Sequence, residues 1–371
     1  MKIGLLTFHC ALNYGAVLQA IALYNKLETI NSDTELVNYR FPPVCSIVDH
    51  TRRRELIHIH NLLRYIVTGG TIYKKKKKFD LFISNNIKSV TKECNSNNEL
   101  FELVSGSRYD LLVCGSDQIW NPYITHFEAA YFLKFADRNT KKISYAASIG
   151  QDSIGEDGLK FISDNIESID SISVREESAV EILRSAGVTR NINVNLDPVF
   201  FLTKRQWHDK SIRVKIPQKL GKYILVYRLT NNPIMDKVLE ELTQKTGLKC
   251  IAISERLGKI PFIEKKYSSI GPGEFLYMIE NAEYVVTDSF HGIAFSLLFE
   301  KKLVAVSNLS RNTRIVNLLT KLEMLECLVD QSKEKLFVPD IDYSKKYKKC
   351  FEIIEKEVQK NDNYLKSEIY S

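Results

Sequence analysis

Two hydrophobic patterns alternate along the first half of the chain. Short, almost entirely apolar runs, such as "IGLLTF" (3–8), "LLVCG" (111–115) and "SISV" (171–174), predict strands that are buried on both faces. Between them lie longer segments with apolar residues at helical spacing, such as "AVLQAIALYNKL" (16–27) and "EESAVEILRS" (176–185). This order of strands and helices predicts parallel β-α-β units.

A second series of the same kind begins near residue 222, after a basic, proline-containing stretch of low periodicity. The pattern therefore predicts an α/β fold with two tandem Rossmann-like, doubly wound domains that face a cleft. The expected domains are residues 1–205 and 222–343, with a linker region at 206–221 and a C-terminal amphipathic helix at 344–371. Because ligands bind at the carboxyl ends of strands in such sheets, the loops at those ends are the places to look for function.

The composition is that of a soluble globular protein. Of the 371 residues, 44% are hydrophobic and 26% are charged. The sequence contains no run of about 18 uncharged apolar residues, and its amino terminus leads straight into a strand pattern without a signal-like segment. The expected location is the cytoplasm, where any peripheral attachment would be to the inner face of the membrane.

Cysteine and charge patterns exclude some classes of site. The seven cysteines are scattered, with no C-x-x-C pair and no histidine at metal-ligand spacing, so neither a disulfide framework nor a metal site is expected. A net charge of +7 favours anionic ligands but is spread too evenly to indicate nucleic acid. One run, Lys74 to Lys78, leaves open a solvated helix face or loop, or a patch that touches anionic lipid headgroups.

Three strand-end loops of the first half carry unusual polar residues. Asn13, Tyr14 and Gly15 precede a helix, where backbone N–H groups could receive an anion or a sugar hydroxyl, although glycine before a helix also has a purely conformational explanation. Ser116, Asp117 and Gln118 follow the strand "YDLLVCG" and either cap the next turn or contact a ligand. Arg175 follows "SISV" and either forms a surface ion pair or offers its planar guanidinium to a carboxylate or phosphate.

The fourth loop is "TDSFHG" (287–292) in the second half. It places Asp288, Ser289 and His291 between the strand "EYVVT" and a helix. Arg311 and Arg314 stand at the next strand-to-helix junction. A histidine with two arginines at neighbouring strand ends fits an anionic ligand and acid–base chemistry, whereas a single histidine is more often structural.

These motifs resemble the polysaccharide pyruvyl transferase family. The resemblance is carried by "LTFHCALNYGAVLQA", "YDLLVCGSDQIWN", "ISYAASIG", "SVREES", "LDPVF" and "TDSFHGIAFSLLFEKKLVAV", in this order, over roughly residues 3–320. "GSDQIWN" and "DSFHG" are its specific elements. The resemblance implies a GT-B-like transferase of capsule or exopolysaccharide biosynthesis, which moves pyruvate from phosphoenolpyruvate to two hydroxyls of one sugar as a cyclic ketal.

The resemblance also implies roles for particular residues. Arg175 and His291 would hold the donor, with Ser289 beside them and His291 as the catalytic proton donor. Some relatives have Arg-Leu-His where this chain has Ser289-Phe290-His291, so Arg311 or Arg314 would supply the missing cation. Asn13, Tyr14, Gly15, Ser116, Asp117, Gln118 and Asp288 would line the acceptor side or the rest of the cleft. Phosphoenolpyruvate is then a co-substrate, and no cofactor or metal is expected.

The partners expected are phosphoenolpyruvate and a saccharide acceptor, either free or linked to polyprenyl diphosphate. Two other functions stay open. A GT-B-like glycosyltransferase that uses a nucleotide sugar would share the fold. A non-catalytic sugar-binding or scaffold protein would share it too.

Overall fold

The computed structural model describes residues 1–45, 70–107, 109–218, 221–254, 260–306, 313–329 and 341–370. These residues form two compact units, each with its own core. The first unit consists of Met1–Ile72, Phe79–Phe201 and Glu357–Ser371, and the second of Tyr73–Lys78 and Leu202–Lys356.

The first unit is built on parallel strands. Its strands are β1 Ile3–Leu6, β2 Thr34–Leu36, β3 Leu111–Cys114, β4 Lys141–Ser144, β5 Ile172–Val174 and β6 Ile192–Val194. The order of the main sheet is β2-β1-β3-β4, and β5 pairs with β6. Single bridges, Ile143 to Ser171 and Ala147 to Val174, connect the two sheets. The carboxyl ends of these strands therefore lie at one common edge.

Seven described helices lie between these strands or beside them along the chain, and Tyr73–Lys78, within the third of them, belongs to the second unit. They are α1 Tyr14–Ile30, α2 Pro42–Cys45, α3 Thr71–Asn86, α4 Asn97–Ser107, α5 Pro122–Thr125, α6 Glu156–Ile166 and α7 Glu177–Ser185, with short 3-10 helices at Ala129–Phe132 and Pro198–Phe201. α7 ends at Ser185 with Ala186 as its C-cap, and Gly187, the next residue, adopts a φ of 92°, where glycine avoids steric strain.

The second unit contains one six-stranded parallel sheet. Its strands are β7 Tyr223–Tyr227, β8 Lys249–Ile253, β9 Ile263–Tyr267, β10 Tyr284–Thr287, β11 Lys302–Val306 and β12 Leu328–Val329, in the order β12-β11-β10-β7-β8-β9. Its helices are α8 Lys204–Asp209, α9 Pro233–Thr246, α10 Pro272–Glu280, α11 Phe290–Leu298 and α12 Thr313–Lys321, with a 3-10 helix at Leu325–Cys327. α13, Tyr343–Tyr370, ends the chain, and its residues from Glu357 onward belong to the first unit.

The stretch that the sequence pattern indicates as a linker, 206–221, is part of the second unit. It begins inside α8, where Trp207 is fully buried and its ring lies 5.0 Å from that of Phe295, edge to face. A tryptophan packed in this way contributes to the core, so this segment does more than connect two domains.

One disulfide forms, although the scattered cysteines predict no disulfide framework. Cys10 and Cys45 are bonded, with Cα atoms 5.1 Å apart and a separation of 35 positions in sequence. α2 places Cys45 beside the loop that follows β1, where Cys10 lies. The spacing of the two cysteines along the sequence does not predict this contact. The other five cysteines are free and buried.

Within the described residues, no helix combines the length and the apolar character that crossing a membrane requires. The lysine run lies on α3, where it does not form one solvated face. Lys75 is buried and Lys78 pairs with Glu274 at 2.7 Å, whereas Lys74 and Lys77 are exposed.

Candidate functional site

At the junction between β10 and α11 in the second unit, several hydrogen bonds fix a set of polar groups. Ser289 is the N-cap of α11, and its hydroxyl oxygen accepts a hydrogen bond from the Gly292 N–H at 3.3 Å. Thr287 Oγ1 accepts from the Ser289 N–H at 3.0 Å and donates to the Tyr227 carbonyl at 2.7 Å. A Cβ on Gly292 would lie 2.5 Å from Thr287 Oγ1, so this close approach requires glycine.

His291 lies in the first turn of α11 and is only 7% exposed. The Phe290 ring contacts its imidazole edge to face, with 5.3 Å between ring centroids. The amino end of a helix carries a partial positive charge, so an anion near His291 would be stabilised by the backbone as well as by the side chain.

Asp288 anchors a loop on the neighbouring strand. Its carboxylate accepts hydrogen bonds from the Leu229 N–H at 2.7 Å, from the Thr230 N–H at 3.0 Å and from the Thr230 hydroxyl. These three donors follow β7, which pairs directly with β10. Asp288 therefore fixes the shape of this edge of the sheet.

Arg228, at the carboxyl end of β7, is a buried cation that the sequence analysis passed over. Its guanidinium donates to the Thr230 carbonyl at 2.9 Å, to Asp236 at 2.7 Å and to Asn231 at 3.0 Å. An arginine directly after an apolar strand is the same signal that identified Arg175, and it could have identified Arg228 too. Its donors hold the loop that leads into α9.

Arg314 and Arg311 are the two arginines expected near His291. Arg314 is half-buried in the first turn of α12, after β11, and β11 pairs with β10. Arg311 lies outside the described residues. The strand order thus puts Arg314 and His291 on helices that follow adjacent strands.

In the first unit, Asn13 is the N-cap of α1 and accepts a hydrogen bond from the Ala16 N–H at 3.2 Å. Tyr14 and Gly15 lie inside the helix and are buried, and the Tyr14 ring contacts that of Phe79. Of the three residues expected in this loop, only Asn13 is exposed.

Arg175 is buried, so its ion pairs are not the surface pairs that were one of its two predicted roles. Its guanidinium donates to Asp197 Oδ2 at 2.6 Å and lies 3.6 Å from Glu176, with the arginine side chain only 2% exposed. The Ser116 hydroxyl donates to the same Asp197 oxygen at 3.2 Å. Arg175 therefore belongs to a buried network that joins the ends of β3, β5 and β6.

Glu176 extends this network to the end of β4. Its Oε1 atom accepts hydrogen bonds from the Ser148 hydroxyl and from the Ile149 and Gly150 N–H groups, at 2.8 to 3.0 Å. Burial opposes the charge of Arg175, but the carboxylates of Asp197, Glu176 and Asp117 raise its pKa above the usual value. The positive charge of Arg175 is thus already matched by nearby carboxylates.

Asp117 holds a left-handed backbone conformation, with φ 73°, at the end of β3. Its Oδ1 atom accepts from the Gln118 N–H at 2.8 Å, and its carbonyl accepts from the Ser148 N–H. Asn121, not Ser116 or Asp117, caps α5, and its amide also donates to Gln118 Oε1 at 3.1 Å. Left-handed φ values at residues other than glycine cost energy and cluster at functional sites.

His9 is a second buried histidine, which was not among the site residues predicted from the sequence. Its ring nitrogens lie 3.1 Å from the Thr7 carbonyl and 3.0 Å from Asn38 Oδ1. Burial lowers the pKa of His9. In the described part of the chain, no group of three or more histidine, cysteine or acidic side chains is arranged to hold a metal.

Comparison with known proteins identifies the family. The model of the polysaccharide pyruvyl transferase family matches residues 13–310, well over half of the 371-residue chain. The chain belongs to the polysaccharide pyruvyl transferase family. It is therefore a transferase, and its family acts on a saccharide acceptor.

Solved structures confirm the fold of this pyruvyl transferase family member. MnaA from S. aureus, determined with UDP, has a TM-score of 0.53 at 11% identity, over 98% of this chain and 91% of its own. A protein described as a UDP-N-acetylglucosamine 2-epimerase from Listeria monocytogenes has a TM-score of 0.52 at 12% identity, with the same coverage. Both likenesses confirm the predicted GT-B-like α/β fold. A search among curated proteins finds no match to the chain.

Proposed function

We propose that this protein transfers pyruvate from phosphoenolpyruvate to two hydroxyls of one sugar in a cell-surface polysaccharide or its lipid-linked precursor. The observation that carries the proposal is the capped junction between β10 and α11, which holds His291 at a helix amino end in a chain of the pyruvyl transferase family. Capsule and exopolysaccharide are the polymer classes that we propose for the product.

In the proposed reaction, protonated His291 gives its proton to the methylene carbon of phosphoenolpyruvate. The electron-poor carbon that results is attacked by one sugar hydroxyl, and the second hydroxyl then displaces phosphate. The two hydroxyl protons return to His291 and to the departing phosphate, so atoms and charges balance. Histidine suits this role because its usual pKa of about 6.5 allows both forms near neutral pH.

The donor would be bound by the second unit. Phosphoenolpyruvate carries a carboxylate and a phosphate, and the amino end of α11 supplies N–H groups and a positive dipole for one of them. Ser289 fixes this helix end. Arg314 is the described cation that we assign to the other anionic group, and Arg311 remains a second candidate.

Arg175 also remains a predicted donor ligand, but its environment gives it a competing role. Asp197 and Glu176 already pair with its guanidinium. An anionic donor would have to approach these carboxylates, which disfavours its binding. We therefore propose that the first unit contributes mainly to the acceptor, through Asn13, Asp117 and Gln118. Carboxylate and amide groups are suitable partners for sugar hydroxyls.

The reaction needs no redox step, so we propose phosphoenolpyruvate as the only co-substrate and assign no cofactor or metal. The direct test is mass spectrometry of saccharide acceptors, free and polyprenyl-diphosphate-linked, after incubation with the protein and phosphoenolpyruvate. A pyruvate ketal on an acceptor supports the proposal. If phosphate is released without a ketal, the transfer to sugar is wrong.

Thermal shift separates this proposal from the nucleotide-sugar glycosyltransferase that shares the fold. A ligand at 100 times its dissociation constant stabilises a protein by about 2.7 kcal/mol. We expect phosphoenolpyruvate to raise the melting temperature and UDP- and GDP-sugars to leave it unchanged. The opposite result would favour the glycosyltransferase, and no shift with any donor would favour a sugar-binding or scaffold protein.

A cytoplasmic location at the inner face of the membrane fits a lipid-linked acceptor. Of the lysine run, Lys74 and Lys77 are exposed on α3 and available to an anionic surface, where each could contribute about 1 kcal/mol. Replacement of both by glutamine should reduce sedimentation with anionic liposomes at low salt, and the ketal-forming rate with a soluble acceptor should not change. Equal sedimentation of the two proteins would contradict membrane attachment through this run.

A further inference from the structure

Two aromatic side chains project into solvent next to the polar loop that follows β3. Tyr123 is 52% exposed and Phe127 is 43% exposed, and their ring centroids are 6.4 Å apart at an interplanar angle of 85°. Both belong to the short segment around α5, directly after "GSDQIWN". Paired aromatic rings on a protein surface expose apolar area that a ligand can cover.

The backbone that presents these rings is strained. His126 has φ 49° and Phe127 has φ 60°, two consecutive left-handed conformations at residues that are not glycine. For a bulky side chain, such a conformation is a genuine outlier, and outliers of this kind cluster at binding and active sites. The Phe127 N–H donates to the Pro122 carbonyl at 3.1 Å, and its ring packs edge to face on Phe161 at 5.3 Å. These contacts hold the ring in an exposed position.

Hydrogen bonds connect the aromatic pair to the polar loop. Asn121 accepts from the Tyr123 N–H at 3.1 Å and donates to Gln118 Oε1 at 3.1 Å. The Tyr123 hydroxyl accepts from the Gly155 N–H at 3.0 Å, in the loop that follows β4. Gln118 also borders that loop, because a Cβ on Gly150 would lie 2.2 Å from Gln118 Oε1. The rings and the amide of Gln118 are therefore parts of one fixed surface at the carboxyl edge of β3 and β4.

We propose that Tyr123 and Phe127 form a platform for a pyranose ring of the acceptor saccharide, with Gln118, joined to Tyr123 through Asn121, as the partner of its hydroxyls. A pyranose has a face of C–H groups and an equator of hydroxyls, and this combination matches aromatic rings beside an amide group. The proposal takes its ligand class from the proposed function, through the family's saccharide acceptor.

The test begins with the full-length protein on a glycan array of neutral oligosaccharides that contain glucose, galactose or N-acetylmannosamine. Calorimetry with the best-bound oligosaccharide then measures the dissociation constant for each variant. We expect Tyr123→Ala and Phe127→Ala each to weaken binding about tenfold, because exposed aromatic residues at binding sites commonly carry more than 1 kcal/mol. The melting temperature and the affinity for phosphoenolpyruvate should stay close to those of the wild type.

Three further variants exclude indirect effects. Tyr123→Phe keeps the ring but loses the bond to Gly155, so it should bind like the wild type. Phe127→Leu keeps an apolar side chain without a ring, so it should lose affinity as Phe127→Ala does. Tyr370→Ala removes an exposed tyrosine at the far end of α13, where its hydroxyl donates to Ile30, and it should change nothing.

The outcomes separate this proposal from the function on which it rests. If the wild type binds no oligosaccharide, or if Tyr123→Ala and Phe127→Ala bind like the wild type, the platform is wrong even when ketal formation is observed. If both variants lose saccharide affinity but phosphoenolpyruvate yields no ketal with the wild type, the platform stands and pyruvyl transfer is wrong.

Discussion

The two units carry opposite kinds of polar site at the carboxyl edges of their sheets. In the first unit, Arg175 is buried among carboxylates, and its pair with Asp197 joins two strand ends, to which Ser116 adds a third through its bond to Asp197. In the second unit, a capped helix begins with His291, and the carboxylate nearest in sequence, Asp288, is occupied by the loop that follows β7. Because carboxylates surround the cation of the first unit, we expect its site to favour neutral hydroxyl groups. Because His291 lies in the first turn of a helix, we expect the site of the second unit to favour an anion.

The largest effect should come from His291. His291→Gln keeps a hydrogen-bond donor but cannot titrate, so we expect the ketal-forming rate to fall by about two to four orders of magnitude. Phosphoenolpyruvate affinity, measured by calorimetry, should change much less. The matched control is His208→Gln, which alters an exposed histidine of the same unit that pairs with Glu280, and which should leave the rate unchanged.

A His291→Gln protein that turns over at the wild-type rate would show that the histidine only orients its ligand. In that case the contrast between the units would be one of binding alone. His9 would then be the next histidine to replace.

Replacement of Arg175 tests whether the polar site of the first unit serves mainly to stabilise its fold. Arg175→Ala leaves Asp197 buried beside Glu176 without its cation, and removal of one partner of a buried ion pair costs about 3 to 5 kcal/mol. The chain has two tryptophans, and one lies in each unit. In a Trp207→Phe background, Trp120 therefore reports the unfolding of the first unit alone, and its denaturation midpoint should fall.

Arg138→Ala, at an exposed arginine of the same unit, is the control and should leave the midpoint unchanged. A small loss of stability combined with a large loss of phosphoenolpyruvate affinity would reverse our assignment. Arg175 would then be the donor ligand that the family resemblance implies.

Replacement of Asp288 should lower the stability of the second unit by an intermediate amount and leave that of the first unit unchanged. Asp288→Ala leaves the N–H groups of Leu229 and Thr230 without their acceptor, which costs about 1 to 3 kcal/mol. Unfolding followed by Trp207 in a Trp120→Phe background should detect this loss. Thr230→Val removes one of the three hydrogen bonds and should cost less. Equal stability of Asp288→Ala and wild type would mean that this carboxylate does not hold the loop.

Much of the fold was predictable because parallel strands buried on both faces give continuous apolar runs. β1, β3, β7, β10 and β11 all lie within such runs. β9 was missed because "IEKKY", at the edge of the sheet, has three consecutive charged residues and therefore neither an apolar run nor a regular alternation. The run Lys74 to Lys78 does not reveal whether it lies in a helix or a loop, since five consecutive lysines interrupt the apolar spacing of α3.

For the candidate site, the sequence predicts which polar residues stand at the ends of strands, but not which residues they contact. Position along the chain selected Arg175, Asp117 and His291, but not their partners. Asp288 reaches Leu229, 59 residues away, and Arg175 reaches Asp197, 22 residues away. Whether two such residues meet depends on which strands are neighbours in the sheet and on the register of their pairing. Neither the strand order nor the register can be read from the spacing of residues along a single sequence. The same reason explains why Cys10 and Cys45 were not paired in advance.

The smallest loss of stability should follow from replacing one carboxylate in each unit, Glu283 or Asp362. In each, two lysines hold one carboxylate: Lys302 and Lys222 lie within 3.0 Å of Glu283, and Lys26 and Lys366 lie within 2.9 Å of Asp362. The hydrogen bond from Lys302 is the main cause that lowers the pKa of Glu283 below its usual 4.5. Burial opposes the charge of Asp362, but its two lysines lower its pKa below 3.8.

A carboxylate whose pKa is lower in the folded protein stabilises the fold above its unfolded pKa, and this stabilisation is lost as pH falls through the folded value. Glu283→Gln and Asp362→Asn should therefore each cost about 1 kcal/mol or less at pH 7, and nothing once the pH is well below both values. Denaturant midpoints between pH 7 and pH 2.5, read from Trp207 and Trp120 respectively, measure this. Midpoints that differ from the wild type by the same amount at every pH would rule out titration as the cause. Such a result would leave lost packing around these side chains as the explanation in either unit.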